Sequence, residues 1–311
     1  MTDTAMRGAG IGSHPLRATT RAALVAAGLD ADDVVRVIRR AAEEDLGVAG
    51  DVTSAATVGD EVVLSARYVT REPGTAAGLP VLAAVVDACL GPVATVRAAI
   101  QDGQRLAAGD VLAEISGPAL GVLSIERVSL NLLGHLSGIA TVTRAWVDAV
   151  AATSARIRDT RKTTPGLRDL EKYAVRCGGG VNHRRGLDDA VLIKDNHVAA
   201  AGGVGAALDR VFSAYPGGGM VVQVEVDDLA QLDEALDHGA TQILLDNFTG
   251  ADLVAAVARV RERAPGVLLE ASGGLTLDRA DAVARTGVDF LAVGALTHSA
   301  PTLDIGLDIS R

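Results

Sequence analysis

From residue 155 onward the chain alternates short apolar runs with amphipathic segments, and that alternation restricts the architectures open to it. The runs are ARIRDT, DAVLIKD, MVVQVEV, TQILLDN, GVLLEAS and VDFLAVG. Between several of them stand helix-forming segments such as DDLAQLDEALDHGA, TGADLVAAVARVRERAPG and TLDRADAVARTGV. Strand, helix, strand at a spacing of roughly 20 to 30 residues marks βαβ units and a parallel sheet. Six such strands in one domain favour a TIM-like barrel over an open sheet.

Each run closes on a chemically capable residue. Asp159, Arg161 and Lys162 follow the first, and Lys194, Asp195 and Asn196 end the second. Glu225 ends the third, Asp246 and Asn247 the fourth, Glu270 and Ser272 the fifth, and Gly294 the sixth, with His298 one turn later. Barrel active sites form at the carboxyl ends of the strands, so these residues are expected to converge on one mouth. Their chemistry divides in three. Arg161, Lys162, His183, Arg184 and Lys194 suit carboxylates and phosphates, arginine as a planar fork and lysine as a point charge. Glu225 and Asp246 are hard oxygen donors for a partly hydrated Mg²⁺ or for sugar hydroxyls. Ser272-Gly273-Gly274 and Gly294-Ala295 offer bare backbone N–H groups to a phosphate.

The cations are concentrated. The protein carries a formal charge of −10, yet residues 156–197 hold ten Lys or Arg against six Asp or Glu. All three lysines of the chain, Lys162, Lys172 and Lys194, lie there. A local positive centre in an acidic protein concentrates a small anion. The blander reading of such a charge run is a solvated basic helix face. Only 2% of residues are aromatic and the pI is about 5.1, which argues against nucleic acid as a partner. The two cysteines, Cys89 and Cys177, have no metal-ligand spacing and suit a reducing compartment. The longest uncharged run, between Arg127 and Arg144, is too short and polar to span a bilayer, and no secretory signal is apparent. A cytoplasmic location without membrane partners is expected.

Residues 1 to about 20 read as a disordered lead-in. Asp30 begins a capped amphipathic helix that ends before Gly47. EVVLSARYVTREPG reads as a strand, LPVLAAVVDACLG as a helix stopped by Gly91, and VATVRAAIQDGQRLAAGDVLAEISGP as short strands broken at Asp102-Gly103 and Gly109-Asp110. Together they predict a small α+β layer. From Ala119 a long helix or helix pair carries a small, polar stripe of Ser124, Arg127, Asn131, Gly134 and Gly138. Its opposite face is Ile125, Val128, Leu132 and Leu136. Small residues let another backbone approach, and Arg127 is the single charge among them; a surface arginine is the equal alternative.

TRKTTPGLR, GGGVNHR, LIKDNH, VEVD, LLDN and EASGG, with EEDLGVAGDVTS and ERVSLNLLGHLSGIAT in the first half, together resemble the quinolinate phosphoribosyltransferases. The resemblance covers nearly everything after residue 20. It departs only in a longer N-terminus and a glycine-rich stretch from Pro216 to Gly219. It implies an N-terminal α/β sandwich over residues 21–134, to which 300–311 return. An incomplete TIM-like α/β barrel over 135–299 follows, the type II phosphoribosyltransferase arrangement. It also implies transfer of phosphoribosyl from phosphoribosyl pyrophosphate to quinolinate with loss of CO2, giving nicotinate mononucleotide in de novo NAD biosynthesis.

By the same resemblance Arg161, His183, Arg184 and Lys194 surround quinolinate, and Lys162 faces the pyrophosphate. Glu225 and Asp246 hold Mg²⁺ and the ribose hydroxyls, while Ser272, Gly273, Gly294 and His298 line the 5′-phosphate end. Lys162, Lys194, Glu225 and Asp246 are the implied catalytic set, with Lys194 or His183 shielding or protonating the decarboxylated carbon. A homodimer is implied in which Arg127 reaches the neighbour's site. Three rivals remain: a type II relative with another aromatic acid as acceptor, a Schiff-base aldolase using Lys194, and a non-catalytic metabolite-binding barrel.

Overall fold

A computed structural model describes residues 12–310. Contacts divide the chain into two compact units. The first runs to Val142 and also takes Thr164–Gly179 and the chain from Ser299; the second is Thr143–Thr163 with Gly180–His298. The family resemblance implies a boundary at residues 134 and 135 with 164–179 inside the barrel, whereas the contacts put 164–179 with the first unit.

In the first unit, helices α1 (Ala18–Ala26), α2 (Ala31–Leu46), α3 (Val52–Thr57) and α4 (Leu79–Leu90) accompany strands β1 (Val63–Thr70), β2 (Gly74–Thr75), β3 (Thr95–Ala98), β4 (Arg105–Leu106) and β5 (Val111–Pro118). The Asp30 carboxylate caps α2 by accepting from the N–H groups of Asp32 and Asp33, and Asp51 caps α3 through Ser54. On α2 the residues Val34, Ile38, Ala42 and Leu46 recur every fourth position and are buried. Each of the large aliphatics contributes about 1.5–3 kcal/mol by leaving water. The main sheet is antiparallel, with β1 between β5 and the C-terminal strand Ile305–Ile309, and β3 outside β5. Strand β2 pairs separately with β4.

The lead-in is structured from Gly12 onward; residues 1–11 lie outside the described residues. Gly12 and His14 donate backbone N–H groups to the carbonyls of Cys89 and Ala88. Arg17 binds Asp87, a carboxylate 1% exposed, through its guanidinium at 3.1 Å and its backbone N–H at 2.9 Å. It also donates to the carbonyls of Gly91 and Ala94. The composition of the segment conceals this, because the partners lie about 70 residues away.

Helix α5 (Ala119–Ala149) is one unbroken helix of 31 residues. The backbone that approaches its small-residue stripe is the chain's own: a Cβ on Gly138 would fall on the Pro301 carbonyl, and one on Gly134 would lie 2.8 Å from Thr302. Leu303 donates its N–H to the Gly134 carbonyl at 3.0 Å. On the opposite face Ile125, Val128 and Leu136 are buried, but Leu132 is only half-buried and Leu133 joins the core instead. Helix α6 (Arg168–Cys177) also belongs to this unit. Its Tyr173 hydroxyl donates to Asp102, and its buried Glu171 binds His135 at 2.9 Å and the Thr164 N–H at 3.1 Å. Burial raises the Asp102 carboxyl above its ordinary range, against the Tyr173 hydrogen bond and the N–H groups of Leu79 and Gly78. Burial also pushes the Cys177 thiol up to about 12.

The second unit is a six-stranded sheet: β6 (Arg156–Arg158), β7 (Val191–Ile193), β8 (Val222–Val226), β9 (Gln242–Asp246), β10 (Leu268–Ser272) and β11 (Phe290–Ala292). Every pairing is parallel, in the order β6-β11-β10-β9-β8-β7. Helices α7 (Asp195–Ala201), α8 (Val204–Ala214), α9 (Leu229–Asp237), α10 (Gly250–Arg263) and α11 (Ala280–Ala284) lie in the crossovers, and α12 (Ala295–His298) follows the last strand. Val181 adds an isolated parallel bridge beside Arg158 in β6, which brings the start of the 181–184 loop to that edge of the sheet. Side chains alternate along each strand. Leu192 and Lys194, Leu244 and Asp246, and Glu270 and Ser272 line the interior, while Ile243, Leu245 and Leu269 are buried on the other face. Among the described residues no helix is long and apolar enough to cross a membrane.

Candidate active site

The carboxyl ends of the second unit's strands open into a cleft of about 400 Å³. Its walls include Arg161, Lys162, His183, Arg184, Lys194, Glu225, Asp246 and Ser272, above a floor containing Leu192, Leu244, Glu270 and Ala292. Nine of the residues singled out in the sequence, Glu270 included, therefore share one cavity. A volume of this size lies within the range of small-molecule sites.

Beyond β6 the chain turns tightly. Lys162 donates its N–H to Thr160 Oγ1 at 3.0 Å, and its carbonyl accepts from Thr297 Oγ1 at 2.8 Å. Asp159, fully buried, accepts from the His183 N–H and from Asn182 Nδ2, each at 2.7 Å. This carboxylate anchors the loop that carries His183 and Arg184. The Arg184 guanidinium donates to the Ala190 carbonyl at 3.0 Å. Burial lowers its basicity, the nearby Arg161 cation lowers it further, and Asp189 opposes both. Two partly buried guanidinium groups pushed together in this way favour an anionic ligand between them.

Across the cleft, Lys194 Nζ lies 3.3 Å from Glu225 Oε2. Glu225 is raised above the ordinary carboxylate range chiefly by burial, with Lys194 opposing and the charges of Asp246 and Asp195 adding. Glu225 and Asp246 thus stand on adjacent strands and repel each other. Two hard carboxylates in that relation fit Mg²⁺, which keeps waters and substrate oxygens for its remaining positions. Among the described residues no cluster of three or more His, Cys, Asp or Glu is arranged to hold a metal alone.

The glycines lie where the sequence puts them. Gly273 has φ +90°, and a Cβ there would lie 2.9 Å from the Asn247 nitrogen and collide with its side chain. A Cβ at Gly294 would lie 3.0 Å from Lys162 Cδ and 3.2 Å from His298 Nε2, so Gly294, Lys162 and His298 are neighbours. Arg127 is exposed on α5 in the first unit and is not among the cleft residues.

A family model for the C-terminal domain of quinolinate phosphoribosyl transferase matches residues 139–308, and one for its N-terminal domain matches residues 51–137. The chain belongs to the quinolinate phosphoribosyltransferase family. It is 55% identical over 273 residues to the nicotinate-nucleotide pyrophosphorylase [carboxylating] of Mycobacterium leprae, covering 88% of this chain and 95% of that one. It is 39% identical over 294 residues to quinolinate phosphoribosyltransferase [decarboxylating] 1b of Nicotiana tabacum, with 89% and 82% covered. The nicotinate-nucleotide pyrophosphorylase structure from Francisella tularensis superposes with a TM-score of 0.83 at 36% identity, covering 91% of this chain and 98% of that one. The α/β sandwich and TIM-like barrel expected from the sequence are thereby established for this member of the family.

Several residues that support this quinolinate phosphoribosyltransferase-type cleft from behind its lining are not apparent in the sequence. Gln223 is 3% exposed and reads in MVVQVEV as one polar interruption of a buried strand. Arg158 donates to Glu270 at 2.7 Å and stacks over the Phe290 ring at 3.7 Å. Thr297, which fixes the Lys162 carbonyl, resembles any helical threonine in sequence. The usable signal was the two-residue alternation, which carries the interior phase from Glu225 back to Gln223.

Proposed function

We propose that this chain transfers the phosphoribosyl group of phosphoribosyl pyrophosphate to quinolinate and releases CO2, pyrophosphate and nicotinate mononucleotide, a step of de novo NAD biosynthesis. The observation that carries the reading is the opposition within one cleft of Arg161, Lys162, Arg184 and Lys194 to Glu225 and Asp246. The two substrates together bring about six or seven negative charges, which a cationic cleft must offset before they can lie side by side.

In this reading Arg161 and Arg184 grip the quinolinate carboxylates with paired N–H donors, and Lys194 closes the third side. Lys162 faces the departing pyrophosphate, and Gly273, Gly294, Ser272 and His298 hold the 5′-phosphate. The pyridine nitrogen attacks the anomeric carbon as the bond to pyrophosphate breaks. Glu225 and Asp246 stabilise the positive charge that develops on the ribose. The resulting pyridinium withdraws electrons from its ring, so the bond to the adjacent carboxylate breaks and its electron pair stays on the ring carbon. That carbon then takes up a proton. Glu225 and Asp246 would hold Mg²⁺, which offsets charge on the pyrophosphate when bound.

The working unit is a homodimer in which the partner supplies Arg127 to the quinolinate end, and the enzyme acts in the cytoplasm. Exposure of Arg127 as the single cation on the stripe supports this arrangement. A Schiff-base lysine is activated by desolvation or a neighbouring cation; Lys194 is half exposed and faces a carboxylate, which disfavours the aldolase. Acceptor choice tests the reading. With phosphoribosyl pyrophosphate and Mg²⁺, quinolinate should yield the mononucleotide while nicotinate, lacking the second carboxylate, should be used at least about a hundredfold less well. Equal use of both acids would overturn the assignment.

A further inference from the structure

His183 is tied at both ring nitrogens by the protein itself. Its Nδ1 accepts the backbone N–H of Arg184 at 2.7 Å. A ring nitrogen that accepts an N–H carries no proton, so neutral His183 must bear its proton on Nε2. The surroundings of Nε2 agree. Gln223 Oε1 lies 2.8 Å away and the carboxylate oxygen Oε1 of Glu270 lies 3.6 Å away, both acceptors. The chain of donors also fixes the Gln223 amide, since its nitrogen placed toward Nε2–H would set two donors face to face.

Glu270 is 1% exposed, and its other oxygen accepts from Arg158 at 2.7 Å. Its Oε1 is buried with no hydrogen bond of its own, so it stands as a second acceptor for the same proton. Charged groups around this ring include Glu270 with Arg158 behind it, Asp159 under the loop backbone, and Arg184 next in the chain with Arg161 beside it. In this arrangement Nε2–H is donated to Gln223 and Nδ1 carries no proton.

We propose that Gln223 and Glu270 are positioning residues. Between them they hold the His183 proton on Nε2, which leaves Nδ1 to fix the Arg184 backbone and so aims that guanidinium into the cleft. It follows that His183 forms a fixed, uncharged wall of the acceptor site and does not protonate the decarboxylated ring. The proposal rests on reading this cleft as the acceptor site. A purely structural polar core would stabilise the barrel without setting a tautomer or affecting one substrate more than the other.

The test is nitrogen NMR of the full-length protein labelled with ¹⁵N-histidine, with His183→Asn assigning the signal. His183 should show an unprotonated Nδ1 and a protonated Nε2, unchanged from about pH 5 to 8, where an ordinary imidazole changes charge. The double variant Gln223→Leu/Glu270→Gln should let His183 exchange tautomer or titrate. It should also raise KM for quinolinate about tenfold or more while leaving KM for phosphoribosyl pyrophosphate unchanged. Each single variant, keeping one acceptor, should restore most of both properties. A protonated Nδ1 or an ordinary titration in the folded wild type would overturn the proposal, and so would a folded double variant with wild-type tautomer and kinetics. If the double variant does not fold, the wild-type spectrum decides. That spectrum needs no substrate, so it stands apart from any failure of the proposed reaction.

Discussion

Gly294→Ala isolates the phosphate end of the cleft. The backbone of Gly294 does not require a left-handed φ, so alanine brings no strain of that kind, and nearby Val293 and Leu296 are buried in the core. The added methyl lies 3.0 Å from Lys162 Cδ and 3.2 Å from His298 Nε2, tighter than ordinary van der Waals contact. Both side chains must give way by a few tenths of an ångström, and the methyl covers the backbone that would approach the 5′-phosphate. A charge-assisted hydrogen bond contributes about 1.5–3 kcal/mol. Its loss corresponds to roughly 10- to 150-fold in kcat/KM for phosphoribosyl pyrophosphate. Initial rates with each substrate varied in turn, alongside a thermal melt, measure the effect. The expected pattern is a raised KM for phosphoribosyl pyrophosphate, an unchanged KM for quinolinate and a nearly unchanged Tm. An equal rise for both substrates, or none for either, would refute the placement of the phosphate beside Gly294.

Three further outcomes follow from the same structure. In the proposed homodimer, mixing an Arg127→Ala chain with a Glu225→Ala chain should restore a share of activity, because one site would then have both residues; mixed dimers that stay inactive would place Arg127 outside the site. Arg17→Ala leaves Asp87 buried with only a backbone N–H and should cost about 3–5 kcal/mol in denaturant unfolding, whereas a change below about 0.5 kcal/mol would show that the segment is not docked. Asp102 has a raised carboxyl pKa in the folded state, so the folded state holds the proton more tightly. Stability should therefore fall as pH rises from the ordinary carboxylate value through the raised one. Asp102→Asn should remove that slope in a series of Tm measurements, and a parallel pH dependence in both proteins would count against it.

The catalytic half was legible because its physics is local. A parallel strand buried on both faces needs a continuous apolar run, and the polar residue that ends it marks the mouth. Lys194, Glu225, Asp246 and Ser272 were found this way, and the structure puts all four in one cleft. What escaped the sequence was long-range. Helix α6 lies within the basic segment, yet Tyr173 binds Asp102 and Arg176 reaches the Ala27 carbonyl, so its charges serve the first unit. Lys172, 4% exposed on that helix, is no part of a solvated basic face. The small-residue stripe suggested a close backbone neighbour but not which one, since residues 301–303 are remote in sequence from Gly138. Arg127 shows the limit in the other direction: the stripe displays it, and neither periodicity nor one chain's geometry assigns what it binds.

In the proposed reaction one cleft couples ribosyl transfer to decarboxylation. The most direct test of that coupling is quinolinate labelled in the carboxyl group next to the ring nitrogen, incubated with phosphoribosyl pyrophosphate, Mg²⁺ and the purified chain. The account predicts labelled CO2 and pyrophosphate in equal amounts, dependent on both substrates and abolished by Arg184→Ala. Folded protein that releases pyrophosphate without labelled CO2, or neither product, would contradict it.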